Sequence, residues 1–205
     1  MYLVQKIRNV SRAFVQLYGS ESMKRALWNH EFAGGRWSCL EDTRGDCLYP
    51  YVEKYARNGN ILDLGCGSGN TGIELDEGAY QQYTGVDISD AAIEQAKKRT
   101  EDNRRANKNS YFQSDILSYV PTQQYEVILF REAIYYLPRT RVRSMLDRYS
   151  KSLTTSGVFI ARILGTTGRT GLIVDIIESN FEVVEQYLSD QVTTTAVIVF
   201  RPRTS

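Results

Sequence analysis

The stretch Ile61-Leu62-Asp63-Leu64-Gly65-Cys66-Gly67-Ser68-Gly69-Asn70-Thr71-Gly72 constrains this 205-residue chain more than any other. A short apolar run reads as a buried strand and leads straight into three glycines at alternate positions. A sharp strand-to-helix turn needs residues without Cβ, and a ligand can then press against bare backbone. The spacing Gly67-x-Gly69-x-x-Gly72 matches a dinucleotide fingerprint in form. The spacing Gly65-x-Gly67-x-Gly69 behind Asp63 points to a second ligand class, so the glycines alone leave two readings open.

Downstream of residue 60, short apolar runs alternate with amphipathic segments. Tyr83 to Asp87 reads as a second strand, Tyr111 to Gln113 as a third and Tyr125 to Phe130 as a fourth. The fourth is apolar throughout, as a central parallel strand buried on both faces should be. Gly157 to Ile163 reads as a fifth strand. Helices are expected over Ala91 to Arg99, capped by Ser89, from Pro138 toward Leu153, and near Leu172 to Ser179. Phe181 to Leu188 and Thr193 to Phe200 follow each other closely, which suggests an antiparallel pair. The pattern predicts an α/β fold: a Rossmann-like, doubly wound, seven-stranded sheet, mostly parallel, with a C-terminal antiparallel hairpin. Residues 1–58 read as a mostly helical cap or lid, and residues 59–205 as the ligand-binding domain. In the cap, Leu3, Ile7, Val10, Phe14 and Leu17 share one helical face, and this first helix offers a route to an oligomer.

At the phrase LDLGCGSG the chain resembles the class I S-adenosylmethionine-dependent methyltransferases, over about residues 59–200. The resemblance implies S-adenosylmethionine as cofactor and S-adenosylhomocysteine as product. It implies that Asp63, Gly65, Cys66, Gly67 and Gly69 form the loop at the methionine end. Asp87, at the end of the second strand, can accept hydrogen bonds from both ribose hydroxyls, a role that NAD enzymes share. By the same resemblance Asp115 takes the adenine amino group, Ile88 and Ile116 pack on the ring, and Phe130 lies on the cofactor side. A nicotinamide oxidoreductase is the rival reading, as is a relative that binds cofactor without catalysis. Against the oxidoreductase, residues 1–58 are too short for the usual separate substrate domain.

Methyl transfer is an in-line displacement whose acceleration can come largely from positioning. The acceptor should lie beyond the fourth strand, where Glu132-Ala133-Ile134-Tyr135-Tyr136-Leu137 resembles the E-x-x-Y-Y-L phrase of small-molecule methyltransferases, including sugar-modifying ones. Glu132 is the first candidate for a base or an orienting acid, with Tyr135 and Tyr136 lining the pocket. In the cap, Arg36 suits the cofactor carboxylate, Trp37 suits the sulfonium, and His30 has the pKa of an acid–base group. Arg131, Arg139, Arg141 and Arg143 suggest an acidic acceptor, such as a phosphorylated or nucleotide-linked sugar. The expected acceptor is an oxygen or nitrogen of a small molecule, a sugar or natural-product intermediate, with RNA or protein as the alternative.

Several absences narrow the class. No Asp/Asn-Pro-Pro-Tyr phrase follows the fourth strand, and no lysine occurs between Lys108 and Lys151. No metal is expected, because Cys39, Cys47 and Cys66 form no C-x-x-C pair, His30 is the only histidine, and no acidic cluster follows the strand. The cysteines read as reduced thiols. Charge is nearly balanced, with 25 Lys and Arg against 24 Asp and Glu, so a nonspecific grip on nucleic acid is not expected. The apolar runs are too short to span a membrane, and the opening stretch lacks a signal-peptide core, so a cytoplasmic location is expected.

Overall fold

Two central strands alternate between the two faces of one sheet. In β4 (Tyr125–Arg131), Ile128 and Phe130 pack on one face while Val127 and Leu129 pack on the other. In β7 (Thr195–Pro202), Ala196, Ile198 and Phe200 share the first face, and Val197 and Val199 the second. Both faces are buried, so a continuous apolar run satisfies the two-residue period of each face. The computed structural model describes residues 11–37, 43–189 and 194–203.

The remaining strands are β1 (Asn60–Leu64), β2 (Gln82–Asp87), β3 (Asn109–Gln113), β5 (Leu153–Leu164) and β6 (Phe181–Leu188). The order across the sheet is β3-β2-β1-β4-β5-β7-β6, with β7 antiparallel to both neighbours. This is the doubly wound sheet with a terminal hairpin that the sequence predicts. The strand order reverses between β1 and β4, where a crevice opens beyond the carboxyl ends.

Helices cover both faces: α3 (Tyr49–Ala56), α4 (Asn70–Glu74) and α5 (Asp90–Asp102) on one side, α6 (Arg139–Ser150) and α7 (Gly168–Asn180) on the other. Val52, Tyr55 and Ala56 of α3 belong to the same cluster as Ile61 and Val127. Packing there is continuous across residue 58, where the sequence suggested a division. Ahead of α3 lie α1, helical over residues 11–18, and α2 (Glu21–Ala33), whose first turn is capped by the Ser20 hydroxyl accepting from the Met23 N–H at 3.3 Å. The expected apolar stripe of α1 departs from its reading: Phe14 is exposed and Leu17 only half-buried, while Leu3, Ile7 and Val10 lie outside the described residues. Cys39 lies outside them too, and Cys47 and Cys66 are free thiols. No helix among the described residues is long and apolar enough to cross a membrane.

Candidate active site

The loop after β1 is held by its backbone. Gly65 and Cys66 both donate their N–H groups to the Val86 carbonyl, at 2.7 and 3.1 Å. Gly65 has φ +85°, and a Cβ there would lie 2.5 Å from the Cβ of Ala133, so no larger residue fits. Gly67, at φ +54°, lies under Phe32 of α2 and donates its N–H to Asp87 Oδ2 at 2.9 Å. Gly69 caps α4 and supports the loop from behind.

A cavity of about 690 Å³ opens over this loop. Its floor holds Asp63, Gly65, Cys66, Gly67, Asp87, Ile88, Asp115 and Ile116, residues that the sequence offered as cofactor contacts. Asp63 is fully buried; Tyr83 donates its hydroxyl to Oδ2 at 2.5 Å, while Oδ1 has no partner among the described residues. Burial pushes the Asp63 carboxyl up to about 6, against the Tyr83 hydrogen bond that lowers it. Burial likewise pushes Asp87 up to about 6, although backbone N–H groups of Ser89, Gly67 and Ile88 lower it. Asp115 accepts the Leu117 N–H on Oδ1 at 2.8 Å, so one oxygen caps a turn while the residue still lines the cavity.

The roof is aromatic. Lys24, Trp28 and Phe32, four residues apart on α2, turn one helical face to the cavity. Trp28 meets Tyr136 edge-on at 5.1 Å and Trp37 at 5.7 Å, and Tyr136 meets Tyr135 at 4.7 Å. The Arg12 guanidinium sits over Trp28 and Trp37, at 6.0 and 5.7 Å, and is ion-paired with buried Glu31. Asn29 ties this roof to α5. Its Oδ1 accepts from Ser89 Oγ at 2.8 Å, and its Nδ2 donates to Asp90 at 2.9 Å beside Arg25.

Four expected site residues do not line the cavity, Gly69 at the start of α4 among them. His30 and Arg36 are exposed and do not line the cavity, because α2 turns its Trp28–Phe32 face inward and His30 lies about 200° around the helix from Trp28. Phe130 is fully buried in the core beside Phe159 and does not line the cavity. Arg139, Arg141 and Arg143 stand exposed on α6 and do not reach the cavity; Arg143 makes a loose 3.8 Å pair with Asp147.

Beyond β4 the wall is charged. Glu132 has φ +54°, a costly conformation for a side-chain-bearing residue. Its carboxylate is ion-paired with Arg162, accepts the Tyr135 hydroxyl and accepts the Leu164 N–H at 3.2 Å. Burial pushes the Tyr135 hydroxyl up, and Glu132 adds to it, so the phenol keeps its proton. Asp46 bridges two guanidiniums: Arg131 Nη2 donates to Oδ2 at 2.8 Å, and Arg162 Nε lies 3.1 Å from Oδ1. Burial raises the Asp46 carboxyl, but Arg131, the Leu48 N–H and Arg162 outweigh it and hold it below its ordinary value. Sequence reasoning missed Asp46, Arg162 and Trp28. Trp28 had a signal in its four-residue spacing to Phe32; Asp46 sits in a polar turn and Arg162 in an apolar strand, where neither draws notice.

This sheet order with this crevice is the fold of the class I S-adenosylmethionine-dependent methyltransferases. Residues 61–157 match the family model described as a methyltransferase domain. Among curated proteins it is similar to the mRNA cap guanine-N(7) methyltransferase of Schizosaccharomyces pombe, 28% identical over 126 residues, covering 55% of this chain and 35% of that one. A counterpart from Cryptococcus neoformans is 26% identical over 124 residues, covering 53% and 20%. The match thus spans only about a third or less of these relatives' length. Among solved structures, the N-methyltransferase NodS of Bradyrhizobium japonicum, bound to S-adenosylhomocysteine, aligns with TM-score 0.71 at 18% identity, over 88% of this chain and 98% of that one. A methyltransferase from Clostridium acetobutylicum aligns with TM-score 0.67 at 12% identity, over 84% and 100%. These two share the fold. The residues present suit S-adenosylmethionine: a bare glycine cradle, an unpartnered buried oxygen on Asp63 and a buried acceptor on Asp87 stand on one floor.

Proposed function

We propose that this domain transfers the methyl group of S-adenosylmethionine to an oxygen or nitrogen of a small-molecule acceptor. The observation that carries this reading is the roofed cavity of about 690 Å³, which falls within the usual range for small-ligand sites. Bound S-adenosylmethionine supplies an activated methyl group on a positively charged sulfur. In this reading Asp87 accepts from the ribose hydroxyls, Asp115 takes the adenine amino group between Ile88 and Ile116, and Asp63 with the glycine loop holds the methionine end. Trp37, Trp28 and Phe32 face the sulfonium, where aromatic faces favour a cation, and exclude water. Lids α1 and α2 complete the enclosure.

Glu132 acts here as a positioning residue rather than a base. Three donors already fill its carboxylate: the Arg162 guanidinium, the Tyr135 hydroxyl and the Leu164 N–H. It aligns Tyr135 and Arg162 toward the acceptor, and the rate comes from orientation. Calorimetry with S-adenosylmethionine, S-adenosylhomocysteine and NAD tests the cofactor. A methyl-transfer screen read by mass spectrometry tests the acceptor; binding of NAD in preference to S-adenosylmethionine would overturn the reading.

The similarity to cap guanine-N(7) methyltransferases supports a second reading, an RNA acceptor. Exposed Arg139, Arg141 and Arg143 would then contact phosphates, and RNA affinity would fall steeply with salt. Transfer to a free small molecule but not to capped RNA decides for the first.

A further inference from the structure

Arg131 and Arg162 are register partners on the neighbouring parallel strands β4 and β5. Two like charges side by side at the end of a sheet repel, and largely removing them from water costs more. The chain keeps the pair and inserts Asp46 between them, with Glu132 on the far side of Arg162. Arg44, in the same turn as Asp46, also lines the cavity. Among the described residues, Arg131 and Arg162 line this end of the cavity beside Asp46 and Glu132. The Cys47 thiol beside them is pushed up by burial, so it adds no negative charge. Of the other cavity carboxylates, Asp63 also feels the Arg131 charge, while Asp87 and Asp115 line the cavity with the glycine loop. A guanidinium offers five N–H donors in a planar fork suited to a two-oxygen anion. Arg131 donates to Asp46, and its Nε has no hydrogen-bond partner among the described residues.

We propose that the acceptor bears an anionic group, a carboxylate or a phosphate, which seats on the Arg131–Arg162 pair while Asp46 and Glu132 fix the two guanidiniums. The inference rests on the methyl-transfer reading above; of the arginines the sequence offered for an acidic acceptor it keeps Arg131 and puts Arg162 in place of those on α6. Seating the anion here places the far end of the acceptor against Tyr135 and Tyr136, toward the glycine loop.

The test titrates benzoate and phenyl phosphate into the full chain, with benzamide and benzyl alcohol as neutral counterparts. Calorimetry is run with and without saturating S-adenosylhomocysteine. At least one anion should bind about tenfold more tightly than its neutral counterpart, the scale of a charge-assisted hydrogen bond, and the preference should shrink with added salt. The benzoate and phenyl phosphate arms distinguish a carboxylate from a phosphate. Arg162→Gln should abolish the preference while S-adenosylhomocysteine affinity stays within about twofold, which also reports folding. Arg162→Lys keeps the charge without the fork and should lose about threefold or more; it carries the test if the glutamine variant does not fold. Equal binding of anions and neutral probes, no anion binding at millimolar concentration, or a preference that survives Arg162→Gln overturns the proposal. Loss of S-adenosylhomocysteine binding in the unmodified chain, with the anion preference retained, would instead sink the methyl-transfer reading alone.

Discussion

Asp87 carries two burdens at the residue scale: it closes the glycine loop through the Gly67 N–H and offers the remaining acceptor capacity to a ligand. Asp87→Ala removes charge-assisted hydrogen bonds worth about 1.5–3 kcal/mol each, so cofactor affinity should fall at least about tenfold by calorimetry. Because burial holds this carboxyl near 6, donors from a ligand favour its ionised form. Cofactor binding at pH 6 should therefore release protons, read as a binding enthalpy that varies with the buffer's ionisation enthalpy. Glu132 calls for a different measurement. Glu132→Gln should lower the transfer rate with little change in cofactor affinity, and the shape of the pH–rate profile should be retained. Loss of an acid limb from that profile would restore Glu132 as a base.

Helix α2 works as an element that roofs the site. It is pinned where α5 begins, through Asn29 on Ser89, Asp90 and Ala91, two to four residues beyond Asp87. Lid position and ribose site thus share one short segment. Asn29→Ala should raise hydrogen exchange across residues 21–33 and weaken cofactor binding, while far-UV dichroism stays unchanged. An unchanged exchange rate would show that the aromatic contacts alone hold the roof. Both tryptophans of the chain, Trp28 and Trp37, line the cavity, so intrinsic tryptophan fluorescence should report S-adenosylhomocysteine binding directly.

For the whole molecule, the buried acids make ligand-free stability depend on pH. Asp63 and Asp87 stand at about 6 in the folded chain against 3.8 for the unperturbed group. Between those values the folded state holds more protons than the unfolded state. Stability therefore falls as pH rises through that window, by on the order of 3 kcal/mol per group once both are ionised. The ligand-free protein should melt at a higher temperature at pH 5 than at pH 7. Asp63→Asn should reduce that difference, and saturating S-adenosylhomocysteine should reduce it too. A melting temperature that rises from pH 5 to 7 in the ligand-free chain would contradict this account.

Local patterns made much of the molecule legible. Continuous apolar runs announced strands buried on both faces, and the glycine loop announced its own turn, because steric limits on backbone act within a few residues. The polar ends of strands stayed hidden. Asn109 opens β3 through hydrogen bonds to Gly72 and Tyr80, and Thr154 to Ser156 lie within β5 without an apolar signal. Within the cap, the sequence by itself singled out His30, Arg36 and Trp37 but not which of these face inward. That choice belongs to the rotation of α2, set by its packing on α5 and by Asn29. Asp46 and Arg162 became a pair only in three dimensions, since 116 positions separate them and a charge in an apolar strand gains meaning only from the opposite charge the fold brings to it.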